Sequence, residues 1–159
     1  MMDLTGRENK HIRVIGCGNL LMGNDSAGLR VIEILEKTCP GIDVVEGGTG
    51  GIGLLPLMEE ADLIIIVDAM TGIGEEPGDT KIFRETPPYS PSRMSFQDIG
   101  VAEVMEIARE LFPGINLIAI GIEAGEVNEY SYEIDSDVMA GVKEAVAIIV
   151  DLVQNKGDI

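Results

Sequence analysis

Two aspartates set the chemistry open to this chain of 159 residues. Asp25 stands at the tip of Val14-Ile15-Gly16-Cys17-Gly18-Asn19-Leu20-Leu21-Met22-Gly23-Asn24-Asp25-Ser26-Ala27-Gly28, a stretch that begins as a buried strand, breaks at glycines and re-enters as a helix. Asp68 ends the apolar run Leu63-Ile64-Ile65-Ile66-Val67. Two carboxylates drawn from distant parts of a sequence can hold a divalent cation or exchange protons as acid and base. Each also has an ordinary structural use: Asp25 could cap the helix that follows it, and Asp68 could order its own loop. Between them lies Gly47-Gly48-Thr49-Gly50-Gly51, where missing side chains leave room for something bulky to approach. The convergence favours a site.

Other chemistries fit less well. Cys17 and Cys39 make neither a disulfide framework nor a metal-ligand pattern, and Cys17 reads as a small core residue. The sole histidine, His11, precedes the first strand at the far end of the sheet and reads as solvated, so a serine or cysteine nucleophile lacks its usual base. No His-Glu-x-x-His motif is present. Gly16-Cys17-Gly18 suggests a dinucleotide-binding turn with Glu46 on the ribose, but Leu21 occupies the position of the third glycine. An oxidoreductase of that kind stands as a distant alternative.

The elements that must position these residues are legible from patterning. Strands are expected at Ile12 to Gly16, Asp43 to Glu46, Leu63 to Asp68 and Ile115 to Ile122, with Thr80 to Glu85 as an edge strand. Helices are expected from Ser26 to Lys37, Leu54 to Glu60, Ser95 to Leu111 (opened by the capping box Ser95-Phe96-Gln97-Asp98) and Ser136 to Val153. This alternation implies one α/β domain spanning 1–159, a three-layer α/β/α sandwich on a mostly parallel sheet of about five strands. Asp25, Glu46, Gly47 to Gly51, Asp68 and Glu123 then share the carboxyl edge of the sheet, where such folds bind ligands. Gln97 and Asp98, at a helix start, can reach that edge too.

Charge bounds the partners. With 28 acidic and 11 basic residues the formal net charge is −17, a field that repels nucleic acid and anionic membranes and suits a cation or a basic partner. No apolar run is long enough to span a bilayer, and the opening residues resemble no secretion signal. A reduced, cytoplasmic protein is expected.

The ordered set of motifs resembles the hydrogenase maturation proteases. It comprises Gly16-Cys17-Gly18-Asn19 with Asp25 and Gly28, Gly47-Gly48-Thr49, Val67-Asp68-Ala69, Pro77-Gly78, Ser95 to Gly100 before Val101-Ala102-Glu103-Val104, and Gly121-Ile122-Glu123. The resemblance implies an endopeptidase that trims the C-terminal extension of a nickel–iron hydrogenase large-subunit precursor once nickel is in place. It implies that Asp25 and Asp68 contact nickel supplied by the substrate, that Glu46, Gly47, Gly48 and Thr49 line the cleft for the tail, and that the protein is a monomer. The chain departs from the family pattern at two positions. Asn24 replaces the first acid of an acidic pair, and Gln97 stands where the family has its metal-binding histidine. A neutral amide oxygen is a poorer nickel ligand than imidazole. Asp98 is a substitute ligand unless its capping-box role claims it. A non-catalytic assembly factor that binds precursor or nickel is the principal alternative.

Overall fold

The computed structural model describes residues 4, 10–88, 100–125 and 131–155. Five strands, β1 (Ile12–Gly16), β2 (Asp43–Glu46), β3 (Leu63–Met70), β4 (Thr80–Phe83) and β5 (Asn116–Glu123), form one sheet in the order β2-β1-β3-β5-β4. The first four in that order run parallel and only β4 pairs antiparallel. The helices are α1 (Ala27–Thr38), α2 (Val101–Leu111) and α3 (Ser136–Gln154). The expected α/β/α sandwich is present, with β4 at the edge as its mixed polar pattern indicated.

Alternation along β3 sets the layers. Ile65 and Val67 pack with α1 and α3, while Ile64 and Ile66 pack with α2 and the segment Gly51–Met58. β3 is apolar on both faces because helices cover both. Asp68 has the parity of Ile64 and Ile66 and therefore belongs to the α2 side.

Four expectations are corrected. β3 does not stop at Asp68: its pairing with β5 continues through Asp68↔Gly121, Ala69↔Ile122 and Met70↔Glu123. The helix expected over Leu54 to Glu60 is instead a 3₁₀ segment at Gly51–Met58, which contains Pro56 and is entered through Gly50 and Gly51 at positive φ. Proline lacks the N–H that a regular helix needs. Thirdly, α2 begins at Val101, with Gly100 in extended conformation (φ −73, ψ 172) as its N-cap. The capping-box spacing at Ser95 to Asp98 therefore does not start this helix, and those four residues, Gln97 among them, lie outside the described residues. Finally, His11 does lie beyond the amino end of β1, but it is not merely solvated: its Nε2 donates to Asp43 Oδ2 at 2.6 Å.

Candidate active site

Glycine lets three segments meet at the carboxyl edge of β1. The Cys17 N–H donates to Val67 O at 2.8 Å, Gly47 N–H to Gly16 O at 2.7 Å and Gly18 N–H to Gly48 O at 2.8 Å. The start of α1 drops onto this junction because Gly28 has no side chain. A Cβ there would stand 2.2 Å from Cys17 O and 2.4 Å from Val67 O, so the close approach excludes any larger residue. Cys17 is buried among apolar neighbours, as its core reading anticipated.

Asp25 lies in a 3₁₀ turn, Gly23–Ser26, that leads directly into α1 and packs against β3. Ser26, not Asp25, holds the N-cap position of α1, and its hydroxyl turns back to donate to Gly23 O at 2.7 Å. The turn is held from outside by its neighbour Asn24. The Nδ2 of Asn24 donates to Ala124 O at 3.0 Å and to Asp135 Oδ2 at 2.9 Å, and the Asp135 N–H returns a bond to Asn24 Oδ1 at 2.9 Å. The Gly23 N–H donates to Ser131 O at 2.7 Å.

Asp68 is buried, 6% exposed, at the floor of a small pocket of about 50 Å³. Gly100, Val101, Ala102 and Glu103, the first turn of α2, line the same pocket together with Met70, Thr71 and Pro87. Free N–H groups at a helix start make that end favourable to negative charge. The loop after β3 is held by Glu123, whose Oε1 accepts from the N–H groups of Gly72, Ile73 and Gly74 at 2.8, 3.0 and 3.1 Å. Asp79 Oδ2 accepts the next two, from Glu75 and Glu76, both at 3.0 Å. Sequence reasoning placed Glu123 on this edge without seeing that role. Three glycines upstream at 72, 74 and 78 were the available signal.

The remaining expected contacts fall as follows. Glu46 ends β2 in register with Gly16 and is exposed, as are Gly48 and Thr49; Gly47 is half-buried against Leu54, Ile15 and Cys17. Asp25 and Asp68 share the carboxyl edge, but Asp25 is not among the residues lining the Asp68 pocket. A larger cavity of about 560 Å³ opens at the opposite edge, between Glu59–Asp62 and Phe112–Asn116. It is far from these carboxylates. We place the site at the carboxyl edge because crossover connections leave room for ligands there. Among the described residues, no group of three or more His, Cys, Asp or Glu side chains could hold a metal ion alone.

The profile of the hydrogenase maturation protease family (HycI) matches residues 29–152. Hydrogenase expression/formation protein HoxM of Azotobacter vinelandii is 30% identical, over 92% of this chain and 74% of that protein. HupM of Azotobacter chroococcum mcd 1, described in the same words, is 29% identical over 97% of this chain and 76% of its own length. The hydrogenase maturating endopeptidase HybD from Escherichia coli superimposes with a TM-score of 0.73 at 28% identity, covering 92% of this chain and 94% of that one. HybD from Thermococcus kodakarensis gives 0.72 at 27% identity, over 90% and 99%. With a family match spanning most of its length and the fold to accompany it, this chain belongs to the hydrogenase maturation protease family.

Proposed function

We propose that this protein is a processing endopeptidase acting on the C-terminal extension of a nickel–iron hydrogenase large-subunit precursor, with Asp25 and Asp68 contacting the precursor's nickel. Family membership supports the protease and its hydrogenase partner. One observation carries the choice of residues. Asp25 lies in the turn that leads into α1 against β3, and Asp68 is buried beside the first turn of α2, so both stand at the carboxyl edge of the sheet, where this fold class leaves room for a substrate.

The ion belongs to the substrate: among the described residues no group of three or more His, Cys, Asp or Glu side chains could hold a metal ion alone. Carboxylate oxygens suit a divalent cation that already has other ligands in the precursor. Gln97 supplies a third and weaker contact through its amide oxygen. Glu46 with Gly47, Gly48 and Thr49 borders the path of the tail, where bare backbone can hydrogen-bond an extended segment. The whole of 1–159 acts as a single domain, as a monomer, in the cytoplasm.

The variants test this directly. Asp68→Asn should lower the rate of precursor shortening about 100-fold while leaving the melting temperature near that of the wild type. Gln97→His should tighten nickel binding in calorimetry. Precursor that binds without losing mass would favour a non-catalytic assembly factor instead.

A further inference from the structure

Seven large hydrophobic side chains are exposed among the described residues, and four of them lie on the Asp25 loop or on the two segments that backbone hydrogen bonds tie to it. Leu20 and Leu21, 40% and 47% exposed, precede Asp25 on its own loop. Ile52, 58% exposed, follows the glycine loop that the Gly18 N–H ties to Gly48 O at 2.8 Å. Tyr132, 70% exposed, adjoins Ser131, which bridges Met22, the residue after Leu21. The backbone of Tyr132 is fixed by Arg30, which donates to its carbonyl at 3.0 Å. Apolar groups clustered on one rim mark an interaction surface, whereas scattered ones do not.

The charge of the same three segments selects the occupant. Residues 17–26, 46–53 and 131–137 carry Asp25, Glu46, Glu133, Asp135 and Asp137 and neither lysine nor arginine, and Arg30, whose guanidinium reaches the Tyr132 carbonyl, is itself paired with Glu33 at 3.2 Å. Glu46 and Glu133 are both exposed, Glu133 directly after Tyr132 and Glu46 at the start of the glycine loop that ends before Ile52. An apolar rim set in carboxylates fits a segment that alternates apolar side chains with Lys or Arg.

We infer that Leu20, Leu21, Ile52 and Tyr132 form a docking rim that grips an apolar, cationic segment of the precursor's C-terminal extension and leads it to Asp25. The inference rests on the processing role proposed above. The rim supplies affinity and the carboxylates supply orientation.

The test measures binding and cleavage side by side, using the full chain and nickel-loaded precursor, with and without its extension. Leu21→Ser/Ile52→Ser should bind full-length precursor at least about tenfold more weakly, given the apolar burial removed. Tyr132→Ser should weaken it less, and Leu111→Ser, equally exposed at the opposite edge, should bind as wild type. Removing the extension should cost wild type at least as much as the double substitution. Added salt should weaken binding further. Undiminished binding by a double variant that melts like wild type overturns the rim, as does equal loss from Leu111→Ser or tight binding to precursor lacking its extension. If binding depends on the rim but wild type leaves the precursor uncut, the processing role fails and the rim stands. If the double variant cleaves with unchanged kcat/KM, the rim fails and the processing role stands.

Discussion

Asn24 and Asp135 hold each other by two hydrogen bonds of 2.9 Å, one from the Asn24 amide to the carboxylate and one from the Asp135 N–H to the amide oxygen. This clasp joins the turn that carries Asp25 to the start of α3. Asparagine suits this position because the side chain opposite is a carboxylate, which accepts from the amide. Asn24→Asp places two carboxylates face to face and should destabilise the fold by about 1–3 kcal/mol at neutral pH. Sharing a proton relieves the repulsion, so both groups are raised in the folded state; the lost stability returns as pH falls and disappears again as pH rises. Asn24→Asp/Asp135→Asn restores a donor opposite an acceptor across the clasp but leaves Ala124 O without its donor, so it should recover part of the melting temperature at pH 7. Thermal melts of the three proteins across pH provide the check.

Glu123 serves as an anchor for the Met70–Asp79 loop through three consecutive N–H groups and that of Gly125. Glu123→Ala leaves these donors without their acceptor and should cost about 2–3 kcal/mol. Amide exchange at Gly72, Ile73 and Gly74 should accelerate more than in β1 or α3. Uniform acceleration would mean that the carboxylate supports the whole fold rather than the loop.

The loss of space at Gly28 allows a sharper test. Alanine there meets the backbone oxygens of Cys17, just past β1, and of Val67 on β3, at 2.2 Å and 2.4 Å, and the hydrogen bond from Cys17 N–H to Val67 O keeps the two from moving apart. Gly28→Ala should cost about 3 kcal/mol or more and abolish soluble expression near the growth temperature.

Strand alternation and strand ends were legible because they depend on local pattern: β1 and β2 span the residues that the apolar runs marked, and Cys17 sits in the core. The ends that shifted depend on partners. β3 runs past Asp68 because β5 continues beside it, and α2 starts at Val101 because Gly100 is extended. Asn24 and Glu123 were visible only as residue types, since their partners lie 111 and about 50 positions away. The Asp25 and Asp68 pairing was read from topology, and Gln97 from the family pattern alone.

At the far edge, Asp43 links charge to pH. Burial pushes its carboxyl up, but the hydrogen bonds from His11 at 2.6 Å and Arg13 at 3.0 Å outweigh that and hold it below the ordinary 3.8. A lowered carboxyl contributes stability above its ordinary value and loses it as pH falls through the lowered one. Wild type should therefore melt higher than Asp43→Asn at about pH 5, and the difference should close towards about pH 2. The effect should be modest, because the pair is partly exposed to solvent and screened.

The processing role itself is tested most directly by the mass of the precursor. Purified protein is mixed with nickel-loaded and with nickel-free large-subunit precursor, and intact masses are followed over time. A nickel-sensing protease makes one defined C-terminal cut in the nickel-loaded form and none in the nickel-free form. Equal shortening of both, or no shortening of either, would contradict this.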